Sequence, residues 1–268
     1  MLAILYSTSK LPHNVSNMSD TKVVILAAGK GTRLKAEVPK PLVKIAGKPM
    51  VEHLLDRVEE AGIDSRPIVV VAPDTIELFR QTLGDRADFV LQTEILGTGH
   101  ALKTTREACG EAKNILVLYG DHPFIPARVM HKLDQLANRH RQALVMLTAK
   151  VPNFEGDYEG FKAWGRILRD NDGRVTALRE FKDATEDERA IQELNPAIYV
   201  FPAPWVWENL ELITNKNASG EYYLTDLVER ARTTKRDIVT ETVDALQVIG
   251  INTPDELKRA EHAYIKAV

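Results

Sequence analysis

Apolar residues come first in short unbroken runs. Val-Val-Ile-Leu fills 23–26, Ile-Val-Val-Val lies within 67–72, Phe-Val-Leu occupies 89–91, and Ile-Leu-Val-Leu lies within 114–119. Runs without polar alternation read as strands buried on both faces, the habit of parallel sheets under helices. Helical spacing appears between them. Val51, Leu54, Leu55 and Val58 share one face, and Gly62 follows as a C-cap. Asp74-x-x-Glu77 resembles a capped helix start, with the helix running toward Gly84. Gly97-Thr98-Gly99 opens another helix through Ala101, Leu102 and Ala108. Strand alternating with helix predicts βαβ units with right-handed crossovers, and a ligand site outside the carboxyl ends of the strands.

The pattern changes in the second half. A strand is expected at 144–148, then a hairpin with arms at 165–168 and 175–178 around the turn Asn171-Asp172-Gly173. Further strands are expected at 195–201, 237–242 and 245–249, and short helices at 205–212 and 223–231. Thr253-Pro254-Asp255-Glu256 is a capping box with proline at the first helical position. The predicted architecture is α/β, a Rossmann-like three-layer α/β/α with a mostly parallel central sheet and an inserted β-rich part. Residues 1–20 form a tail. Residues 21–268 form one domain: 21–140 the nucleotide-binding half, 141–252 the substrate-binding half, and 253–268 the C-terminal helix.

Composition removes several function classes. The chain has 268 residues, a net charge of −3 and no basic run, so nucleic acid is not an expected partner. Cys109 is the only cysteine, which excludes a disulfide within the chain and fits a reducing cytoplasm. Residues 1–6 are apolar but short, with no basic region before them and no cleavage site after, so a disordered tail is expected rather than a signal peptide; Met18 offers an alternative start. No apolar run approaches the ~20 residues that cross a bilayer.

Candidate chemistry gathers at the strand ends. After 23–26 come Ala27, Ala28, Gly29 and Gly31, then Arg33 and Lys40. Small residues let an anion approach backbone N–H groups, and two cations stand just beyond. The stretch reads either as a phosphate cradle or as a plain glycine turn with solvated cations. It is not Walker A, because Lys30 sits between the glycines, and not the dinucleotide fingerprint, because Leu34 holds the third glycine position. Asp121 ends a buried strand, as either a metal ligand or a turn cap. His122 beside it has no second His or Cys at ligand spacing, which leaves a zinc site unsupported. No G-x-S-x-G elbow exists. What remains is phosphate, magnesium and a polar pocket, which suits nucleotidyl transfer to a sugar phosphate. The nucleophile there is already an anion, so the barrier is mostly charge repulsion and alignment. Arg33, Lys40 and Mg²⁺ on Asp121 are the right kinds of group to lower it. Mg²⁺ takes only one or two protein oxygens in such sites.

Several segments then carry a resemblance: Leu26-Ala-Ala-Gly-Lys-Gly-Thr-Arg33, Pro39-Lys40, Leu91-Gln-Thr-Glu-Ile-Leu-Gly-Thr-Gly-His100, Leu118-Tyr-Gly-Asp121, Trp164-Gly-Arg166, Glu180-Phe-Lys-Asp-Ala-Thr185, Gly220-Glu-Tyr-Tyr-Leu-Thr-Asp226 and Gly250-Ile-Asn252. In this order they resemble the pyrophosphorylase domain of the GlmU-type N-acetylglucosamine-1-phosphate uridylyltransferases, over nearly the whole chain. The resemblance implies that Leu26, Ala27, Ala28 and Gly29 line the nucleotide, and that Arg33 and Lys40 hold the triphosphate. Gln92 would meet the uracil edge with Gly97 and Thr98 beside it, and Tyr119 and Gly120 would border sugar and ribose. Asp121 and Asn252 would ligate Mg²⁺, and Gly165, Glu180 and Asn195 would hold the sugar. The implied partners are UTP and N-acetylglucosamine 1-phosphate. The alternatives are glucose 1-phosphate, dTTP, or a non-catalytic sugar-nucleotide binder, the last disfavoured by the presence of Arg33, Lys40 and Asp121. The family usually reads Asn-Thr-Gly where this chain has Asn195-Pro196-Ala197, which leaves the acceptor sugar open. The hexapeptide-repeat domain of the bifunctional members does not follow Asn252, so the acetyl transfer and trimerisation it provides are not expected.

Overall fold

The computed structural model describes residues 20–29, 31–217 and 219–267. Of the tail expected at 1–20, residues 1–19 lie outside the described residues, as does Lys30. The chain runs β1 (Thr21–Leu26), the short antiparallel pair β2 (Lys44–Ile45) and β3 (Lys48–Pro49), α1 (Met50–Ala61), β4 (Ile68–Val71), α2 (Ile76–Leu83), β5 (Asp88–Leu91), α3 (Thr98–Lys103), β6 (Asn114–Tyr119) and α4 (Ala127–Arg139). It continues through β7 (Leu144–Lys150), β8 (Gly165–Arg169), β9 (Val175–Arg179), α5 (Glu186–Arg189), β10 (Glu193–Asn195), β11 (Tyr199–Pro202), α6 (Ala203–Leu210), α7 (Asp226–Thr233), β12 (Ile238–Asp244) and α8 (Pro254–Ala267).

One mixed sheet organises these elements, in the order β5-β4-β1-β6-β11-β7-β10-β8-β9, with β12 paired to β7. The core β5-β4-β1-β6 is parallel throughout. From β11 onward the path to β9 is antiparallel, while β12 runs parallel to β7. The unbroken apolar run of β1 is explained by cover on both faces. Val23 and Ile25 pack with Leu54, Val58 and Leu133 of α1 and α4. Val24 and Leu26 pack with Leu102, Val206 and Leu227 of α3, α6 and α7. Burying such a side chain is worth ~1.5–3 kcal/mol, so each alternate residue stabilises a different layer.

The structure departs from the sequence pattern at several places. The strand expected at 195–201 is two, β10 and β11, because Pro196 has no N–H to give a ladder and Ala197 adopts φ +61°. Residues 245–249 are no strand: a 3₁₀ turn spans Ala245–Val248, started by the Asp244 carboxylate accepting from the Leu246 N–H at 2.8 Å. Asp74 does not cap α2, which begins after Thr75. Helix α3 stops at Lys103, well short of Ala108. Helix α4 was not expected, although Val129, Met130, Leu133 and Ala137 mark its buried stripe.

Candidate active site

The site is built at the carboxyl ends of β1 and β6. Their ends are tied together, since the Gly120 N–H donates to Leu26 O at 3.0 Å. Beyond Leu26 the loop turns back over Lys40. Gly31 has φ +56°, and a Cβ there would lie 2.6 Å from Lys40 Cβ, so only glycine permits this approach. Arg33 and Lys40 each sit in a single 3₁₀ turn.

Four distant residues meet here. The Lys40 ammonium donates to Asp121 Oδ2 and, at 2.7 Å, to Asn252 Oδ1. The Arg33 guanidinium donates to the same Asn252 oxygen at 3.2 Å. Asn252 is fixed from both sides. The preceding Ile251 N–H donates to Asp121 O at 2.9 Å, and its own N–H donates to Glu256 Oε2 at 2.6 Å. The same carboxylate accepts from the Thr253 N–H at 2.9 Å, and Thr253 Oγ1 accepts from the Glu256 N–H at 3.3 Å, closing the capping box read from the sequence.

Burial pushes the Asp121 carboxyl up, but His122 and Lys40 outweigh it and hold it below the usual carboxylate range. Burial, the largest effect, lowers the His122 imidazole, and the Lys40 charge lowers it further, against the raising influence of Asp121. His122 Nε2 lies 3.8 Å from Asp121 Oδ1, and a backbone contact with Val248 also supports the ring.

Asp121 and Asn252 offer two hard oxygens that already converge on one positive charge, the Lys40 ammonium. That donor chemistry fits Mg²⁺, which takes oxygen ligands and keeps several waters. Among the described residues, no group of three or more His, Cys, Asp or Glu is placed to hold a metal.

A cavity of about 550 Å³ opens in front of this cluster. Leu26, Ala27, Ala28, Gly29, Arg33, Lys40, Tyr119 and Asp121 line it together with Gln92, Gly97 and Thr98. Gln92 is buried, and its Nε2 donates to Gly97 O at 3.0 Å and lies 3.1 Å from His100 Nδ1. A carbonyl only accepts, so the amide nitrogen must face inward and Oε1 is what remains for a ligand. Gly97 has φ +110°, and a Cβ there would meet Tyr222 O at 2.7 Å. The segment around Tyr222 clamps the start of α3: the Gly99 N–H donates to Tyr222 O at 2.8 Å and the Leu224 N–H to Thr98 Oγ1 at 3.0 Å. Tyr119 is hydrogen-bonded to Thr98, and burial raises its hydroxyl pKa.

Gly120 and Asn252 do not themselves line this cavity, and neither do Gly165, Glu180 and Asn195, which lie together on neighbouring strands. Asn195 of β10 is the register partner of Gly165 in β8, and Arg166 pairs with Arg179, the residue before Glu180. Partial burial, then the nearby charges of Asp183 and Asp226, raise the Glu180 carboxyl. The sequence reading missed Glu221, Ile95 and Ala101, which line the cavity. It also gave His100 no role, although His100 closes the Gly-Thr-Gly-His stretch that it singled out.

A family model described as the MobA-like NTP transferase domain matches residues 23–211. The bifunctional protein GlmU of Heliobacterium modesticaldum is 39% identical over 246 residues, which are 91% of this chain and 52% of that protein. The GlmU of Thermoanaerobacter pseudethanolicus is 36% identical over 251 residues, 94% of this chain and 53% of that protein. The chain thus spans about half the length of the curated relatives it matches. Among solved structures, a CMP:2-keto-3-deoxy-manno-octonic acid synthetase complexed with CTP superposes with a TM-score of 0.70 at 21% identity, over 92% of this chain and 99% of that one. At that identity the likeness shows a shared fold. Among the described residues, no helix is long and apolar enough to cross a membrane.

Proposed function

The chain belongs to the MobA-like NTP transferase family, and we propose that it transfers UMP from UTP to N-acetylglucosamine 1-phosphate, giving UDP-N-acetylglucosamine and pyrophosphate, with Mg²⁺ as cofactor. The observation that carries this reading is the meeting of Arg33, Lys40, Asp121 and Asn252, the first three of which line one cavity. An oxygen of the sugar phosphate attacks the α-phosphorus, and the bond to the β-phosphate oxygen breaks. Arg33 and Lys40 stabilise the charge that grows on the departing pyrophosphate and draw the two anions together. Asp121 and Asn252 would hold Mg²⁺, which when bound supplies further charge neutralisation at the reacting phosphate. No side chain has to remove a proton from the nucleophile, which fits an Asp121 kept ionised rather than poised as a base.

The base is chosen by the fixed amide of Gln92. Its Oε1 is an acceptor, and uracil carries a donor at N3 while cytosine carries an acceptor there. Thymine has the same N3 donor, so dTTP is the second nucleotide reading. Gly165, Glu180 and Asn195 take the sugar, with the Glu180 carboxylate accepting from ring hydroxyls. The chain's match to GlmU proteins supports N-acetylglucosamine 1-phosphate as acceptor, with glucose 1-phosphate as the alternative. Pyrophosphate release measured for each of UTP, dTTP, CTP, ATP and GTP against several sugar 1-phosphates tests the reading. The highest rate is expected with UTP and N-acetylglucosamine 1-phosphate. No release with UTP and any hexosamine 1-phosphate would refute it.

A further inference from the structure

Asn195 ends β10 with only 7% of its surface exposed, and its Oδ1 receives two hydrogen bonds. The Ala197 N–H donates to it at 3.0 Å, and the Tyr199 hydroxyl lies at 3.0 Å. A backbone N–H only donates, so the atom facing Ala197 is the amide oxygen. The Tyr199 hydroxyl must then donate to that oxygen too. Both acceptor positions of Oδ1 are used, and what Asn195 keeps for a ligand is its NH₂.

The turn that makes this arrangement does not form by backbone preference alone. Ala197 adopts φ +61°, a conformation that disfavours any residue with a Cβ. Pro196 brings no N–H of its own and fixes its φ, so the first donor after Asn195 is Ala197. The side chain of Asn195 closes the turn, and Tyr199 anchors that side chain from the sheet. Tyr199 is fully buried in β11, in register with Val117 of β6 and Met146 of β7. Burial and the neighbouring Tyr119 keep its hydroxyl protonated at any working pH. A group held between two strands is a firm anchor, whereas the loop it steadies is short and strained.

We propose that Tyr199 is a positioning residue for the acceptor-sugar subsite: together with the Ala197 N–H, its hydroxyl locks the Asn195 amide so that the NH₂ is the group presented to the sugar. The subsite then accepts an oxygen at that point, such as a ring hydroxyl or an acyl carbonyl, and disfavours an ammonium. The inference rests on the reading that Asn195 holds the sugar.

Three variants of the full chain test it: Tyr199→Phe, Asn195→Asp and the two combined. Asn195→Asp retains the acceptor contacts to Ala197 and Tyr199 and exchanges the ligand-facing donor for a charged acceptor. The buried charge is expected to lower its melting temperature without preventing folding, while the KM for N-acetylglucosamine 1-phosphate rises more than about tenfold. Tyr199→Phe removes only the hydroxyl, and should raise the same KM about five- to tenfold, with kcat and the KM for UTP within about twofold. On the Asn195→Asp background, Tyr199→Phe should add less than about twofold, because no donor is left to orient. An unchanged sugar KM in Tyr199→Phe beside a raised one in Asn195→Asp overturns the role of Tyr199, as does full additivity. If Asn195→Asp leaves the sugar KM unchanged, Asn195 does not hold the sugar and the underlying reading falls with the proposal. Should Tyr199→Phe fail to fold, Asn195→Asp still decides: a folded variant with a normal sugar KM overturns the proposal.

Discussion

The two ends of the sheet build their share of the site by different means. In the parallel half, the groups come from connections. The chain leaves β1, turns, and carries Arg33 and Lys40 back to meet Asp121 beyond β6 and Asn252 before α8. In the antiparallel half they come from register. Gly165, Glu180 and Asn195 are neighbours because β8, β9 and β10 pair as they do. A connection can bring a charge from far away in sequence and bend around an anion. A register fixes where side chains emerge, and a slip of one residue would turn each to the other face. In the proposed reaction the parallel half would stabilise a charged transition state, and the antiparallel half would recognise the shape of a neutral ring.

That division is easiest to break with the charges. Arg33→Ala and Asp121→Ala should each lower kcat about 10²- to 10³-fold, the loss seen when one preorganised charge stabiliser is removed. The KM for the sugar phosphate should stay within about threefold in both. Steady-state kinetics with each substrate varied separately checks this, and a variant with normal kcat would reassign the residue. Next in size is Glu180→Gln. Losing a charged acceptor should raise the sugar KM about tenfold and leave kcat and the UTP KM alone. A fall in kcat instead would mean that the antiparallel half takes part in the chemistry.

A smaller effect sharpens the base-reading wall. His100→Leu frees one side of the Gln92 amide, so the preference for UTP over CTP should narrow about fivefold, read as a ratio of kcat/KM values. The smallest effect is on pH. The Glu180 carboxyl is raised above its ordinary 4.5 by partial burial and then by Asp183 and Asp226. A raised acid loses its charge at a higher pH as the solution is acidified. The sugar KM should therefore begin to climb, as pH falls, before an ordinary glutamate would titrate. Asp121 lies below its ordinary value, so kcat should hold over that range. In Glu180→Gln the climb in KM should be absent.

The sequence carried the parallel half well, for a physical reason. Strands buried on both faces must be apolar throughout, and the loops after them must be small where backbone meets ligand; 23–26 followed by Ala27, Ala28 and Gly29 shows both. The hairpin at β8 and β9 was equally plain from Asn171-Asp172-Gly173. The break between β10 and β11 was harder to see, because apolar residues continue to 201 and override the warning of Pro196 in any pattern count. At 245–249 the apolar letters Ala-Leu-x-Val-Ile read as a strand, whereas the Asp244 cap starts a 3₁₀ turn instead. The role of Tyr199 could not be read from spacing, since it depends on which atom of Asn195 faces inward. The same holds for Gln92 and His100: residue type announces a polar contact, but the direction of an amide is set by its neighbours in space.

The most direct test sets wild type beside Asp121→Ala, with UTP, N-acetylglucosamine 1-phosphate and Mg²⁺, and follows pyrophosphate together with the nucleotide sugar. The account predicts equal amounts of pyrophosphate and UDP-N-acetylglucosamine from wild type, and turnover at least about a hundredfold slower from Asp121→Ala. Wild type that releases no pyrophosphate, or an Asp121→Ala variant that keeps pace with it, would contradict the account.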